Sequence, residues 1–376
     1  MNDGTKTLRV LVVGGGIVGL TTALELRKAG MDVVVFEQSP QIRAAGATLG
    51  LWRNALAVFD GLGLAEQLRA IGSPTEMRMH NAAGLRIETS GYSADDHSYL
   101  LVHRAKLNNL LADEIGRSRI RLDARFTGYT ENADSVTAHF ADGRTEEADL
   151  LIGADGAHSV VRTQLIPGTP PQIHAGHHAW RAVLPPGDIS VDRDIIAVGH
   201  HGSRGGYART HDGGTLWLVN QFNSPEPTGT KKAESLKRAQ DINDNGWNTT
   251  LLNLIEATPE ESILHNQIMV VPSLPRWTSA RVALVGDSAH AMSPHITAGA
   301  SLGVEDATLL VDRLLARPRL PEALAQYEAD RIPQYEHVRT LSKAVEDSAT
   351  AEEFALNYVA FSHWMINQST VAGPAR

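Results

Sequence analysis

The chain has 376 residues, more than the roughly 100 to 200 of one ordinary domain, so two domains are expected. Hydrophobic residues make up 42% and charged residues 20%, as in soluble globular proteins. A net charge of -9 without clustered lysine and arginine argues against nucleic acid as a partner. The absence of cysteine excludes disulfides, thiolate metal sites and a cysteine nucleophile.

The chain opens with a strand, a helix and a second strand. Leu8–Val13 predicts the first strand, Ile17–Lys28 a helix that stops at Gly30, and Asp32–Phe36 the second strand. The apolar run in this unit contains glycines and lacks a basic start and a cleavage site, so it predicts neither a signal peptide nor a membrane span. We therefore expect a cytoplasmic protein without a membrane anchor, whose fold begins as a doubly wound sheet.

The later elements predict an antiparallel sheet, after which the chain returns to the first sheet. Helices are predicted over 55–71, 106–115, 232–255, 300–315, 322–345 and 351–365, with 232–255 exposed. Strands are predicted over 76–80 and 85–89, as a hairpin, and over 120–122, 136–140, 150–152, 180–184, 195–201, 207–210, 215–220 and 282–285. The four strands between residues 180 and 220 are separated by glycine and proline turns, which predicts an antiparallel sheet.

A glycine turn joins the first strand to the first helix. Gly14, Gly16 and Gly19 satisfy the GxGxxG pattern in strand-turn-helix context. In that pattern Gly14 permits the tight turn, Gly16 lets the backbone approach a pyrophosphate, and Gly19 lets helix and strand pack closely. The pattern occurs once, so it predicts one bound dinucleotide; a glycine-rich loop without a ligand is the alternative.

The residues around this turn complete the predicted dinucleotide site. Ile17 and Val18 begin the helix, whose N-terminal amides would face the phosphate charge. Glu37 ends the second strand and would accept hydrogen bonds from the adenosine ribose, with Gln38 beside it. These residues do not distinguish NAD from FAD.

Two further turns resemble motifs of a known family. Asp155 and Gly156 lie in DLLIGADGAHSVVR, and Gly286 and Asp287 lie in RVALVGDSAHAMSP. These segments are similar to the Asp-Gly and Gly-Asp motifs of the class A flavoprotein monooxygenases, the para-hydroxybenzoate and salicylate hydroxylase family. The resemblance implies that the first turn contacts the FAD pyrophosphate and the nicotinamide route, and that the second reaches the pyrophosphate and the ribityl chain. Such dipeptides alone are ordinary turn chemistry.

The resemblance extends to about residue 345. Further matches are Gly46–Gly50, Asn54, Leu62–Leu64, His103, Arg104, Trp180, Arg181, Tyr327, Glu328, Arg331 and Pro333. By this likeness Arg104 would bridge an FAD phosphate, although a surface arginine on an amphipathic helix is the alternative.

The loop after Pro294 departs from the family pattern. Many members have Gly-Gln-Gly followed by Asn, whereas this chain has Thr297-Ala298-Gly299 and then, after Ala300, Ser301. Backbone amides of this segment would still face the flavin and stabilise its reduced, anionic form. The changed side chains mean that substrate identity should not be copied from any one relative.

The resemblance implies an α/β fold: a Rossmann-like FAD-binding domain with a smaller antiparallel-sheet substrate domain and C-terminal helices. The FAD-binding domain would span 1–73, 98–175 and 278–345, the substrate domain 74–97 and 176–277, and the C-terminal helical segment 346–376. The implied activity is hydroxylation of a small aromatic or heteroaromatic substrate with O2 through a C4a-hydroperoxyflavin. FAD would be bound non-covalently, with NADH or NADPH as a transient co-substrate.

Three questions stay open at this level. The chain could act as a monomer or a homodimer. The same scaffold also serves oxidases, epoxidases and reductases, and a non-catalytic FAD-binding protein would keep the same motifs. The sixteen histidines show no metal-binding spacing, because neighbouring pairs on predicted strands would face opposite sides, so no metal site is expected.

Candidate pocket residues lie on the predicted antiparallel sheet. They are Trp180, Arg181, Tyr207, Trp217, Asn220 and Phe222, with Arg181 also considered for catalysis. Alternate side chains share a face of a strand, but the pattern does not say which face meets the flavin, and core packing explains each aromatic as well. Pro294 and His295 are the other catalytic candidates; His295 would accept a substrate proton or be an exposed loop residue.

Overall fold

A computed structural model describes residues 7–42, 48–88, 98–187, 189–317 and 319–367. The family match at Gly46 and Ala47, and the end of the predicted strand at Thr89, lie outside the described residues. So does the last part of the predicted C-terminal segment, residues 368–376.

The strands range in length from two to ten residues. They are β1 (Arg9–Val13), β2 (Asp32–Phe36), β3 (Thr48–Leu51), β4 (Gly72–Asn81), β5 (Ser98–His103), β6 (Ile120–Arg121), β7 (Phe126–Glu131), β8 (Val136–Phe140), β9 (Thr145–Ala148), β10 (Leu150–Gly153), β11 (Gln172–Ile173), β12 (His178–Leu184), β13 (Asp194–Val198), β14 (Ser203–Arg209), β15 (Thr215–Gln221), β16 (Leu264–His265), β17 (Met269–Val270) and β18 (Val282–Leu284).

The helices lie mainly at the two ends of the chain. They are α1 (Ile17–Lys28), α2 (Arg53–Gly61), α3 (Ala65–Arg69), α4 (Arg104–Ile115), α5 (Val160–Leu165), α6 (Lys231–Asp241), α7 (Thr249–Ala257), α8 (Asp287–His290), α9 (Gly299–Ala316), α10 (Leu320–Asp347) and α11 (Ala351–Asn367). The predicted bounds of α1 and β2 are confirmed, and those of α4, α9, α10 and α11 agree within two residues.

A parallel sheet in the order β18-β10-β1-β2-β6 forms the centre of the nucleotide-binding fold. The β1 residues Val10, Leu11 and Val12 are fully buried, as expected for a strand covered on both faces. Helix α1 packs against α4 and α9. The doubly wound sheet predicted from the first unit is therefore confirmed.

A second, eight-stranded sheet has the order β16-β12-β15-β14-β13-β4-β5-β3. Its β12, β15, β14 and β13 strands pair antiparallel, as predicted, but β13 and β4 are parallel. The predicted hairpin after β4 is reduced to a single bridge between His80 and Arg86. Smaller antiparallel sheets contain β7-β8-β9 and β11-β17.

Three local predictions were wrong. The helix over 55–71 is broken into α2 and α3 near Gly63, which has a φ of +80°. The segment 232–255 forms α6 and α7 and is not exposed, because Leu251, Leu254 and Ile255 pack against the sheet. His200 and His201 lie in a turn after β13 rather than on a strand.

The eight-stranded sheet is covered differently on its two faces. One face packs on α6 and α7. The other face, which we call the pocket face, contacts residues of α10 and α11 and the segment containing Ile296 and Ala298. Strand alternation therefore assigns each side chain of β12 to β15 either to the helix-covered core or to the pocket face.

Candidate active site

Three turns follow the carboxyl ends of neighbouring parallel strands. They are Gly14–Gly19 after β1, Asp155-Gly156 after β10 and Gly286-Asp287 after β18. We call this edge of the parallel sheet the flavin edge. Ligands of open α/β sheets bind at the carboxyl ends of the strands, so the topology brings the three predicted motifs to one place.

The glycine turn is tightly packed everywhere except at its centre. A Cβ on Gly14, whose φ is +112°, would lie 2.2 Å from the Ala154 carbonyl oxygen, and one on Gly19 would lie 2.0 Å from the Gly14 carbonyl oxygen. A Cβ on Gly16 would meet nothing within 4 Å. Gly14 and Gly19 therefore serve the fold, whereas Gly16 leaves open space where a pyrophosphate fits.

Glu37 is tied to the glycine turn. Its Oε2 accepts a hydrogen bond from the Gly15 amide at 2.8 Å, and its Oε1 accepts one from the Ser39 amide at 2.8 Å. Each oxygen keeps lone pairs for a further donor, so Glu37 can still accept from a ribose. Gln38 is exposed next to it.

Asp155 caps a helix and keeps one oxygen spare. Its Oδ2 accepts from the amides of Val160 at 2.8 Å and Val161 at 3.2 Å, at the start of α5. Its Oδ1 is buried and has no hydrogen-bond partner among the described residues, and burial raises the pKa of this carboxyl. Gly156 follows with a φ of +80°. The unpaired oxygen fits a hydroxyl or amide of a bound cofactor.

The Arg162 guanidinium connects the two acidic turns. It donates to the Ala157 carbonyl at 2.6 Å and to the Ser288 carbonyl at 2.8 Å. The Ser288 hydroxyl in turn donates to the Gly153 carbonyl at 2.6 Å. Asp287 stays exposed at the start of α8, where a ligand can reach its carboxylate.

A buried ionic network, which sequence reasoning missed, supports the Gly286 turn. Asp306 Oδ2 accepts from the Gly286 amide at 2.7 Å and pairs with His290 Nε2 at 2.6 Å, while Asp306 Oδ1 accepts from Arg331 Nε at 2.5 Å. Burial opposes ionisation of Asp306, but His290 and Arg331 lower its pKa to about 2. Part of the signal was present in the sequence, since Arg331 is among the residues that match the family pattern.

The loop between Pro294 and Ser301 adjoins the flavin edge. Pro294 is exposed, and Gly299 and Ala300 begin α9. A Cβ on Gly299 would lie 3.8 Å from Asp287 Oδ1, so this loop meets the Gly286-Asp287 turn directly. The Ser301 hydroxyl oxygen accepts a hydrogen bond from the Trp52 amide at 3.0 Å. Ser301 therefore stabilises the fold here rather than offering its hydroxyl group to a ligand.

The charge of Arg104 acts on Arg181. Arg104 is exposed at the start of α4, and Arg181 is half-buried on the pocket face of β12. Burial lowers the pKa of Arg181, and the Arg104 charge lowers it further. An anionic group bound near both side chains would relieve this repulsion.

His295 is neither exposed nor free to act as a base. Its Nε2 lies 3.2 Å from the Ser342 carbonyl oxygen, so Nε2 carries the proton and Nδ1 accepts from the Ser293 hydroxyl at 2.7 Å. Burial and the charge of Arg204 lower the pKa of His295 to about 3. The predicted exposure is therefore wrong, and with both ring nitrogens bonded to the protein His295 anchors the loop.

The aromatic pocket prediction was wrong for three residues. Trp180, Tyr207 and Trp217 lie in the core between the sheet and the helices α6 and α7. Trp217 Nε1 donates to Thr258 Oγ1 at 2.8 Å inside that core. Because side chains alternate along a strand, these three residues face away from the loop after Pro294.

Asn220 and Arg204 lie on the pocket face instead. They are cross-strand neighbours on β15 and β14, and the Arg204 guanidinium is 4.5 Å from the centre of the Phe222 ring. Phe222 itself follows β15 and stacks on His177 at 4.1 Å between ring centres. Half-buried Arg181 remains a candidate for contact with substrate, as does Asn220, of which only 9% is exposed, whereas Phe222 is buried beneath the face.

Comparison with known families agrees with this geometry. A family model described as an FAD-binding domain matches residues 7–342. The chain belongs to the class A flavoprotein monooxygenases. It is thus an FAD-dependent oxidoreductase, and the open space at Gly16 and the unpaired oxygen of Asp155 fit that cofactor. No described helix has the length and apolar character needed to cross a membrane.

Individual relatives cover most of the chain. It is 33% identical over 338 residues to an aurachin C monooxygenase/isomerase from Stigmatella aurantiaca, covering 86% of this chain and 85% of that protein. It is 33% identical to a 3-amino-4-hydroxybenzoate 2-monooxygenase from Streptomyces cremeus, covering 93% and 89%. The structure of Klebsiella pneumoniae HpxO complexed with FAD and uric acid has a TM-score of 0.78 and 25% identity, covering 95% and 93%.

Proposed function

We propose that this monooxygenase consumes NAD(P)H and O2 to hydroxylate a small aromatic or heteroaromatic substrate held between the flavin and the pocket face. One relative is named a 3-amino-4-hydroxybenzoate 2-monooxygenase, and another is solved with bound uric acid, a heterocyclic compound, which supports the substrate class. The division into FAD-binding and substrate domains at the predicted boundaries is part of the proposal.

The main support for the proposal is the position of the Gly286-Asp287 turn between the dinucleotide turn and the loop after Pro294. On one side a Cβ on Gly286 would lie 3.0 Å from the Val18 side chain, within the dinucleotide turn. On the other side Asp287 adjoins Gly299 of the loop. A cofactor whose pyrophosphate lies at Gly16 can therefore run past Asp287 to the loop, and the loop in turn borders the pocket face.

FAD supplies the redox chemistry: NAD(P)H and O2 are consumed, one oxygen atom enters the substrate and the other leaves as water. The protein binds and orients the reactants. Amides at the start of α9 offer donors for negative charge, and Ile296 and Ala298, both fully buried, help to keep water from the loop. Asp287 and Glu37 offer acceptors to cofactor hydroxyls.

An oxygen-labelling experiment tests the proposal. Purified holoenzyme is screened for substrate-stimulated NADH and NADPH oxidation with phenols, anilines and N-heteroaromatic compounds, and the best substrate is then turned over under 18-O2. Label from 18-O2 in the product is expected. Label from water alone, or hydrogen peroxide in place of an oxygenated product, would replace this function with that of a reductase or an oxidase.

The cellular setting is also proposed. We propose that the enzyme works in the cytoplasm, where NAD(P)H is supplied, as a monomer or a homodimer. Light scattering of the FAD-loaded protein distinguishes the two states.

A further inference from the structure

Thr297 has a backbone conformation that threonine rarely adopts. Its φ is +58° and its ψ is +23°, the left-handed region, in which a β-branched residue is strained. It occupies a position at which the family pattern has glycine. Its amide donates to the Pro294 carbonyl at 3.0 Å and closes a short turn directly before α9.

The surroundings of Thr297 enforce this conformation. Its neighbours Ile296 and Ala298 are fully buried in the core that also contains Trp52 and Tyr99. A Cβ on Gly50 would lie 2.9 Å from Thr297 Cγ2 and 2.8 Å from the Tyr99 ring. The Thr297 methyl group therefore fills a slot that exists only because Gly50 has no side chain.

The loop is also anchored at both ends. Before Thr297, His295 is bonded to Ser293 and to the Ser342 carbonyl. After it, Ser301 is bonded to the Trp52 amide. Backbone strain at the centre of such a segment persists only when the contacts of the segment with its surroundings outweigh the energetic cost of the strain. Strain of this kind is a known feature of segments that hold ligands.

We propose that Thr297 is a positioning residue that locks the loop 294–300 in the conformation that presents its amides to the reduced flavin. The inference rests on the proposed function, which places the flavin beside this loop. Glycine at this position would be free to adopt either hand, so the amides would have to reorganise as negative charge develops. The contact of the Thr297 methyl group with Gly50 removes that freedom, so the amides would already be in place for a reduced flavin, whereas a loosened loop would favour peroxide release over oxygen insertion.

Three substitutions separate the effect of the wedge, which is the contact of the Thr297 methyl group with Gly50, from the effect of the Thr297 hydroxyl group. Thr297→Gly removes the wedge and the strain, Thr297→Ser keeps only the hydroxyl, and Thr297→Val keeps both branches without the hydroxyl. The first measurement is the reduction potential of the bound flavin, by equilibrium reduction with a reference dye and without substrate. The second is hydrogen peroxide formed per NAD(P)H oxidised during turnover of the best substrate from the screen.

We expect the glycine variant to fold with a Tm close to that of the parent, because relief of the left-handed strain offsets the loss of the methyl contact with Gly50. Its flavin potential should shift to more negative values, since loosened amides bind the reduced form less well. From the peroxide formed per NAD(P)H oxidised, the ratio of peroxide to oxygenated product should rise about tenfold, which corresponds to a change of about 1.4 kcal/mol in the difference between the two barriers. The serine variant should shift in the same direction, and the valine variant should match the parent.

Unchanged potential and peroxide yield in the glycine variant would overturn the proposal, as would a valine variant that behaves like glycine. A lower Tm alone, with the potential unmoved, would show a purely structural residue. If the parent forms no oxygenated product with any substrate, the proposed function fails, but the potentials of the variants still decide the role of Thr297.

Discussion

The flavin edge and the pocket face differ in what holds their functional groups. At the flavin edge the groups are mostly backbone amides and turn carboxylates, fixed by glycine sterics and by the buried Asp306 network. On the pocket face they are side chains such as Asn220, whose role depends on which way a strand faces. The first region therefore follows from local sequence, whereas the second depends on how the sheet is covered.

The largest expected effect concerns the open space at Gly16 on the flavin edge. Gly16→Val should abolish FAD retention while the apoprotein keeps its fold, because a Cβ there meets no protein atom within 4 Å. Gly19→Val is the contrasting control, because its Cβ would lie 2.0 Å from the Gly14 carbonyl oxygen and should destabilise the whole domain. The flavin-to-protein ratio and circular dichroism give the result. A full flavin complement in Gly16→Val would make this turn merely structural.

The second prediction concerns the network behind the edge. Asp306→Asn leaves the Arg331 charge buried without its closest counter-ion and should lower the free energy of unfolding by about 3 to 5 kcal/mol. Asp330→Asn, which breaks a half-exposed pair with Arg313, should cost no more than about 1 kcal/mol. Urea unfolding of both variants measures the difference. Equal losses would show that burial does not distinguish the two pairs.

The third prediction separates the two faces of the eight-stranded sheet. Asn220→Ala should raise the KM for the substrate roughly tenfold, the effect of losing about 1.4 kcal/mol of binding, and should also cost about 1 kcal/mol of stability because Asn220 is buried. Trp217→Phe loses the bond to Thr258 and should cost about 1 kcal/mol of stability with KM unchanged. Steady-state kinetics and thermal unfolding of both variants test the assignment. The opposite pattern would mean that the faces are reversed.

The smallest expected effect is a pH dependence at the margin of the pocket face. The His174 imidazole donates a hydrogen bond to the Glu346 carboxylate, which raises the pKa of His174 above its usual 6.5. Burial alone would raise the pKa of Glu346, but His174 lowers it below 4.5. The contribution of His174 to the free energy of unfolding is complete below pH 6.5 and is lost as the pH rises through the pKa of His174 in the folded protein. The contribution of Glu346 to the free energy of unfolding is present above pH 4.5. The pair is therefore strongest between these values.

Glu346→Gln should accordingly destabilise the protein most near pH 5.5, by about 1 kcal/mol, and less at pH 8.5. The control is Asp244→Asn, which removes the partner of exposed His200 and should change stability by only a few tenths of a kcal/mol. Urea midpoints at the two pH values measure both variants. A Glu346→Gln loss that does not shrink with rising pH would rule out the titrating pair as its cause.

The sequence by itself determined the flavin edge of this protein. An apolar strand followed by Gly14, Gly16 and Gly19 fixes a turn through local sterics, and the Asp155 and Asp287 turns follow strands whose order along the chain already implies a shared edge. These features depend on short-range backbone geometry, which local sequence encodes.

Only the tertiary structure decided the roles of the pocket residues and the loop. A period of two says that Trp180 faces away from Arg181 and that Trp217 faces away from Asn220, but the helices α6 and α7 decide which set is core. Likewise, nothing in the local sequence places Ser342 against His295 or Gly50 against Thr297. Such contacts join residues far apart in the chain, so their energies appear only once the sheets and helices have packed.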